Sequence, residues 1–194
     1  MTIVSASGAV VNGRNKMEQK RKTVSPFSNE ARNAYVVEHI TDSLLKRLKE
    51  KPLADISISE LCDAAGVGRT SFYRNFESRE DIVRKYIRGL LNGWKHNWEA
   101  EGEESNAKMY GSLFQHLKEN ADLFLMLKTR GLMYLFLEVF MEIWGPRPEY
   151  ENIWAYTTAF ISYGTYGWIE EWIVRGMQES AETMADMLEH HGMK

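Results

Sequence analysis

The sequence of 194 residues is poor in cysteine and proline, and these shortages argue against several classes of protein. The single cysteine, Cys62, cannot form an internal disulfide, which disfavours a disulfide-stabilised secreted fold. No apolar run approaches the roughly 20 residues that a membrane helix needs. The first residues also lack the basic-then-apolar order of a secretory signal. We therefore expect a cytoplasmic protein in which Cys62 is a small buried residue.

Sequence motifs of common catalytic sites are missing as well. The chain contains no glycine-rich phosphate loop, no HExxH and no GxSxG. The histidines show no metal-ligand spacing beyond an adjacent pair near the end; they are His39, His96, His116, His190 and His191. Neighbouring carboxylates such as Glu170 and Glu171 would point about 100° apart on a helix, so they cannot converge on one substrate atom. We expect no enzyme, no cofactor and no metal.

Charge is distributed unevenly along the chain. Residues 1–95 hold 17 Lys and Arg against 11 Asp and Glu, a net of +6, whereas residues 96–194 hold 7 against 16, a net of -9. This asymmetry suggests that the first half meets a polyanion, and ordinary solvated charge is the alternative.

Helical periodicity dominates the sequence, and no strand alternation persists. We predict an all-α fold of about nine helices. A helix capped by Ser28 should run to Lys49, because its apolar residues recur at three- and four-residue spacing; they are Ala34, Val37, Ile40, Leu44, Leu45 and Leu48. Later helices are predicted at 109–118, 121–129, 132–144, 149–175 and 180–190. Residues 1–27 are expected to be a disordered basic segment, either a solvated tail or an arm that contacts phosphate.

Two short helices around a tight turn are predicted in the positive half. Ser57 followed by Glu60 is a capping box, and it starts a helix whose Leu61 and Ala64 we expect to face the core. Gly66 lies in the turn, because glycine adopts a left-handed conformation without a Cβ penalty. This arrangement is typical of a helix-turn-helix, whose second helix enters the DNA major groove.

The second short helix is predicted at 68–74, and Ser78 caps the helix that follows. Phe72 and Phe76 should anchor the second helix to the core. The segment AAGVGRTSFYRNFESREDI resembles the signature of the TetR family of transcriptional regulators in its turn, its aromatic residues Tyr73 and Phe76, its serine cap and the basic Arg79. The resemblance implies that DNA contacts come from Ser57, Arg69, Thr70, Ser71, Tyr73, Arg74 and Arg79.

The C-terminal half also resembles that family. Its segment FISYGTYGWIEEWIVRGM is similar to the late helix that packs on a second subunit, which implies a homodimer interface of Phe160, Gly164, Gly167, Trp168 and Glu171; packing within one chain is the alternative. The resemblance also implies a pocket for a small apolar or aromatic effector. Candidate pocket residues, each of which could be plain core, are Met109, Phe114, His116, Phe124, Met133, Tyr134, Phe136 and Tyr163.

The expected organisation is a basic arm at 1–27, a helix-turn-helix domain at 28–77 and a regulatory and dimerisation domain at 78–194. The function implied by the resemblance is a repressor that binds an inverted-repeat operator as a dimer and is released by a small ligand. The alternative is a protein-interaction co-regulator that has lost DNA or ligand binding. Salt-dependent DNA binding separates the two.

Overall fold

The structure is a computed structural model that describes residues 28–102, 105–188 and 190, so the expected basic arm lies outside the described residues. The described chain is all-α, as predicted from the sequence. Its helices are α1 Asn29–Glu50, α2 Ile58–Ala65, α3 Arg69–Asn75, α4 Arg79–Glu101, α5 Asn106–Glu119, α6 Ala121–Thr129, α7 Met133–Trp144, α8 Asn152–Val174 and α9 Ala181–Met187, with a 3-10 turn at Leu53–Asp55.

A serine cap and a proline define the two ends of helix α1. The Ser28 hydroxyl accepts a hydrogen bond from the amide of Ala31 at 3.0 Å, and Pro52 follows directly after the C-cap residue. Ile40, Leu44 and Leu48 are fully buried, as their spacing predicted. The prediction for Ala34 was wrong: it is exposed, and the buried residues of α1 begin only at Ile40.

The α2–turn–α3 unit has the predicted form with two corrections. Gly66 lies in the turn at φ +65°, in the left-handed region. Cys62 and Ala65 are buried beside Leu61, whereas Ala64 is exposed, because α2 turns the i, i+1, i+4 face inward. The capping box is half formed: Ser57 accepts from the Glu60 amide at 3.1 Å, but the Glu60 carboxylate turns to α1 instead.

Helix α4 connects this unit to the rest of the chain. Ser78 caps it, and a row of buried residues follows one face from Ile82 to Trp94. Helix α4 packs on α1 and also on α7 and α5. A shift of α4 would therefore be felt by both halves of the molecule.

The remaining helices form a bundle with an aromatic core. Phe114, Phe124, Phe136, Phe140 and Trp172 are buried and contact other rings at centroid distances between 4.7 and 6.0 Å. In the bundle α5 packs on α9, and α8 packs on α6 and α7.

Two predicted helix starts in the bundle were wrong by three residues. Helix α5 begins at Asn106, earlier than the predicted position 109. Helix α8 begins three residues later than predicted, because residues 149–151 complete a turn that starts with a hydrogen bond from the Tyr150 amide to the Arg147 carbonyl. The α-helical part of the last helix ends at Met187, and the described residues Leu188 and His190 continue it in π-helical form, so the predicted span of 180–190 is close to what the structure shows. None of the helices in the described part of the chain has the length and hydropathy required to cross a membrane.

Candidate functional site

Helix α3 presents a polar outer face to solvent. Arg69, Thr70, Tyr73 and Arg74 are all exposed, and Tyr73 keeps 62% of its surface accessible. On the opposite face Phe72 is fully buried, and its ring contacts that of Phe76 at 5.7 Å. The short helix is therefore held by two aromatic anchors, which leaves its polar side chains free to meet a partner.

The side chain of Arg69 is already oriented in the absence of a partner. Its Nη2 donates a hydrogen bond to the Ser59 hydroxyl on α2. The guanidinium keeps its other donors, so it can still pair with a base edge. No sequence pattern pointed to Ser59, since nothing in its spacing links it to α3.

Ion pairs fix α2 against α1. The Glu60 carboxylate accepts from Arg47 Nε at 2.7 Å and from Lys51 Nζ at 2.8 Å. The hydrogen bond from Lys51, with Arg47 beside it, lowers the pKa of Glu60 below its usual range. These contacts hold the helix that carries Ser59 and therefore the position of Arg69.

Three of the candidate DNA residues have structural contacts of their own. Ser57 serves as the N-cap of α2. Arg79 Nη1 donates to the carbonyls of Leu53, Ala54 and Ile56 at 2.9, 3.1 and 2.6 Å, so it secures the 3-10 turn to α4. Ser71 is half-buried between α3 and α1. A DNA contact by any of the three stays a prediction.

A cavity of about 210 Å³ lies between α4, α5, α7 and α8. All of its lining residues are uncharged, and they are mainly aromatic or aliphatic: Trp94, Met109, Tyr110, Leu113, Phe140, Trp144, Thr158, Ile161, Ser162 and Thr165. The Ser162 hydroxyl donates to the Thr158 carbonyl at 2.7 Å within α8, and Trp94 Nε1 donates to the Ser112 hydroxyl at 2.9 Å. The cavity is suited to a neutral, largely apolar molecule.

The structure does not bring the candidate pocket residues together. Of the eight, Met109 lines the cavity. Phe114, Phe124 and Phe136 belong to the closed core. His116 and Met133 are half-buried, and Tyr134 and Tyr163 are exposed. The missed lining residues Thr158, Ser162 and Thr165 had a weak signal, as small hydroxyl residues at three- and four-residue spacing on an otherwise apolar helix.

Helix α8 carries an exposed apolar face. Ile153, Tyr156, Phe160 and Tyr163 keep 66%, 69%, 74% and 56% of their surfaces accessible, and their spacing places them on one side of the helix. The candidate interface residues Gly164, Gly167 and Glu171 continue this side and are exposed, whereas Trp168 is half-buried against the core. Large apolar patches of this kind mark interaction surfaces.

Two ion pairs join α4 to α7 next to the cavity-bearing segments of these helices. Arg84 Nε donates to Glu138 at 2.6 Å, and Arg88 donates to both carboxylate oxygens of Glu142 at 2.9 and 2.6 Å. The hydrogen bond from Arg88 lowers the pKa of Glu142. The two helices that supply Trp94, Phe140 and Trp144 to the cavity are thus tied together along their length.

Comparison with known families agrees with this arrangement. Residues 40–86 match a family model described as bacterial regulatory proteins of the tetR family. Residues 104–191 match a model described as a transcriptional regulator C-terminal region. None of the curated protein sequences matches the chain. The two matches cover 47 and 88 residues, and they fall on the two halves that α4 joins.

Proposed function

Because the chain belongs to the TetR family of transcriptional regulators, we propose that it is a repressor whose dimer binds an inverted repeat and is released by a small neutral ligand. The family membership makes it a DNA-binding transcriptional regulator. Repression, dimerisation and ligand release are the proposed parts.

The observation that carries the proposal is the exposed polar face of α3. An arginine oriented by a neighbouring helix can pair bidentately with guanine O6 and N7, which contributes about 1–3 kcal/mol of discrimination. Arg69 is such a residue, and Thr70 and Tyr73 stand beside it. We assign base reading to Arg69 and Thr70, and a phosphate or thymine-methyl contact to Tyr73.

The apolar face of α8 supports a dimer. Exposed Phe160 and Tyr156 would be costly to leave in water, and a second copy of the same face would bury them around a two-fold axis. A methyl group added at Gly164 or Gly167 would meet no atom within 4 Å, so packing inside one chain does not explain these glycines. Close approach of a partner helix does, and paired half-sites are read by paired recognition helices.

The cavity supports a neutral aromatic effector. An apolar cavity of roughly 150 Å³ is enough to take up benzene, so the 210 Å³ here suits one or two rings. The rings of Trp94 on α4 and Trp144 on α7 contact each other at a centroid distance of 6.1 Å. A ligand that contacts both rings would press on both helices. Because Arg79 ties α4 to the turn before α2, displacement of α4 would move the DNA-reading helices.

Selection of bound fragments from a random duplex pool at moderate salt tests the DNA-binding part, with Arg69→Ala as the matched variant. We expect wild type alone to enrich an inverted repeat. Arg69→Ala should fold normally, since its side chain is exposed. No enrichment even at low salt would contradict the proposal and favour a co-regulator that docks a protein partner.

Ligand release is tested separately with indole as a neutral aromatic probe. We expect saturating indole to raise the thermal unfolding midpoint and to weaken operator binding. Ile161→Trp, at the half-exposed rim of the cavity, should fill the space and abolish both effects. Equal responses of wild type and Ile161→Trp would show that the cavity is not the effector site.

A further inference from the structure

A second, polar cleft lies between the start of α1 and the end of α3. It measures about 180 Å³ and is lined by Asn29, Arg32, Asn33, Val36, Ser71, Arg74 and Asn75. Its outer part widens and is bordered by Glu30. Arg74 lies four residues after Thr70 on α3, so the cleft opens beside the side chains assigned to base reading.

The cations of this cleft have no partner in the described part of the chain. Arg32 and Arg74 are exposed, and neither takes part in an ion pair or side-chain hydrogen bond there. Asn29 and Asn33 are likewise exposed. Asn75 is fixed by contrast, because its Nδ2 donates to the Ser71 carbonyl at 2.9 Å. The cleft thus combines a rigid wall on α3 with several unused donors.

The charge balance of the cleft favours an anion. Two arginines face one carboxylate, that of Glu30, which lies in the outer part. Guanidinium groups present forked donors that match phosphate oxygens. Val36 is the one apolar residue among the described residues that line the cleft. A single phosphate group with two or three free oxygens is therefore the chemistry that this cleft recognises.

We propose that Arg32 of α1 and Arg74 of α3 together hold one phosphate of the DNA backbone in this cleft. The proposal rests on the proposed DNA-binding function and adds α1 to the DNA-contacting surface. A backbone phosphate fits better than a free anion, because both arginines are open to water and would hold an isolated ion weakly. DNA presents its phosphate at high local concentration once α3 is seated, and phosphate contacts fix the register of a recognition helix.

The test measures the salt dependence of binding to the selected operator and to an unrelated duplex. We expect Arg32→Gln to weaken both complexes by the same factor, roughly tenfold. The slope of log affinity against log salt should fall by about one per DNA-binding head. Glu30→Gln should act in the opposite direction and strengthen both complexes, because it removes the carboxylate that opposes the phosphate.

Matched variants separate this contact from general charge effects. Arg147→Gln removes another exposed arginine, in the turn between α7 and α8, and should change neither complex. The double variant Arg32→Gln with Arg74→Gln should lose less than the product of the two single losses, because both side chains contact one phosphate.

Each other outcome has a distinct meaning. An unchanged salt slope for Arg32→Gln would overturn the proposal, and so would a loss confined to the operator, which would make Arg32 a base reader. Fully multiplicative losses would assign the two arginines to separate phosphates. Saturation of the DNA-free protein by inorganic phosphate at micromolar concentration would assign the cleft to a free anion. Failure of wild type to select any DNA would instead refute the proposed function itself.

Discussion

Helices α3 and α8 both expose aromatic side chains, but in different surroundings. On α3 the exposed Tyr73 stands among arginine, threonine and asparagine, and the aromatic Phe72 next to it is buried. On α8 the exposed Tyr156 and Phe160 lie on a face with little charge. A polar face with one aromatic residue suits a wet, charged partner, whereas a continuous apolar face suits a protein surface.

The difference also separates two uses of a phenylalanine. Phe72 is completely buried and anchors α3 to the core, so it supports folding. Phe160 keeps 74% of its surface accessible, so it contributes nothing comparable to the fold of one chain. A substitution at Phe72 should therefore change the stability of the fold, whereas one at Phe160 should change the association of two chains.

The largest expected effect is that of replacing Phe72, the buried one of the two phenylalanines. Phe72→Ala should lower the free energy of unfolding by about 3–5 kcal/mol, because it leaves a cavity under α3. Tyr73→Ala, at the next position, should leave unfolding nearly unchanged and weaken DNA binding. Chemical denaturation monitored by circular dichroism measures the first effect. Equal destabilisation by the two variants would mean that α3 is not anchored as described.

Phe160→Glu should act on association instead. A buried interface aromatic typically contributes about 2–4 kcal/mol, so a carboxylate there should convert the dimer to a monomer at micromolar concentration. Sedimentation velocity measures the change, and operator affinity should fall with it. Tyr134→Glu, on the exposed side of α7, is the matched control and should stay dimeric. A wild-type monomer of 22.5 kDa would refute the interface altogether.

Helix positions followed from the sequence, because capping residues and apolar spacing act locally. Ser28, Ser57 and Ser78 each accept the expected amide hydrogen bond. The burial of Phe72 in α3 and of Phe76 directly after it was also predicted correctly. Ala34 and Ala64 were misplaced, because alanine fits either side of a helix and its burial depends on where neighbours begin to pack.

The cavity could not be predicted in the same way. Its lining comes from four helices, and which side chains converge depends on how each helix is rotated about its axis. Apolar periodicity defines a broad stripe, so it does not distinguish Phe136 in the closed core from Phe140 at the cavity. The tie between Arg69 and Ser59 likewise depends on the angle between α2 and α3.

A smaller effect is expected where the two halves meet. Arg130, in the turn before α7, donates from Nε to the Leu48 carbonyl and from Nη2 to the Lys49 carbonyl at 2.7 Å, and these carbonyls end α1. Arg130→Gln should lower the free energy of unfolding by about 1.5 kcal/mol. It should also separate the unfolding of helices α1 to α3 from that of the bundle. Lys95→Gln, which removes an exposed ion pair with Glu99 on α4, is the control. One cooperative transition of unchanged midpoint would contradict this role.

The smallest expected effect, that of Gly164→Ala, has opposite signs on the folding of the monomer and on dimerisation. Gly164→Ala adds a methyl group where one chain has open space, so it should stabilise a monomer by about 0.5–1 kcal/mol through helix propensity. The same methyl group should weaken the dimer, because it would lie between the crossing helices. The monomer effect is measured in the Phe160→Glu background and the dimer effect in wild type. A methyl group at Gly89 on α4 also meets no atom within 4 Å, so Gly89→Ala should stabilise the monomer without weakening the dimer. If Gly164→Ala leaves the dimer as tight as Gly89→Ala does, the partner helix crosses elsewhere on α8.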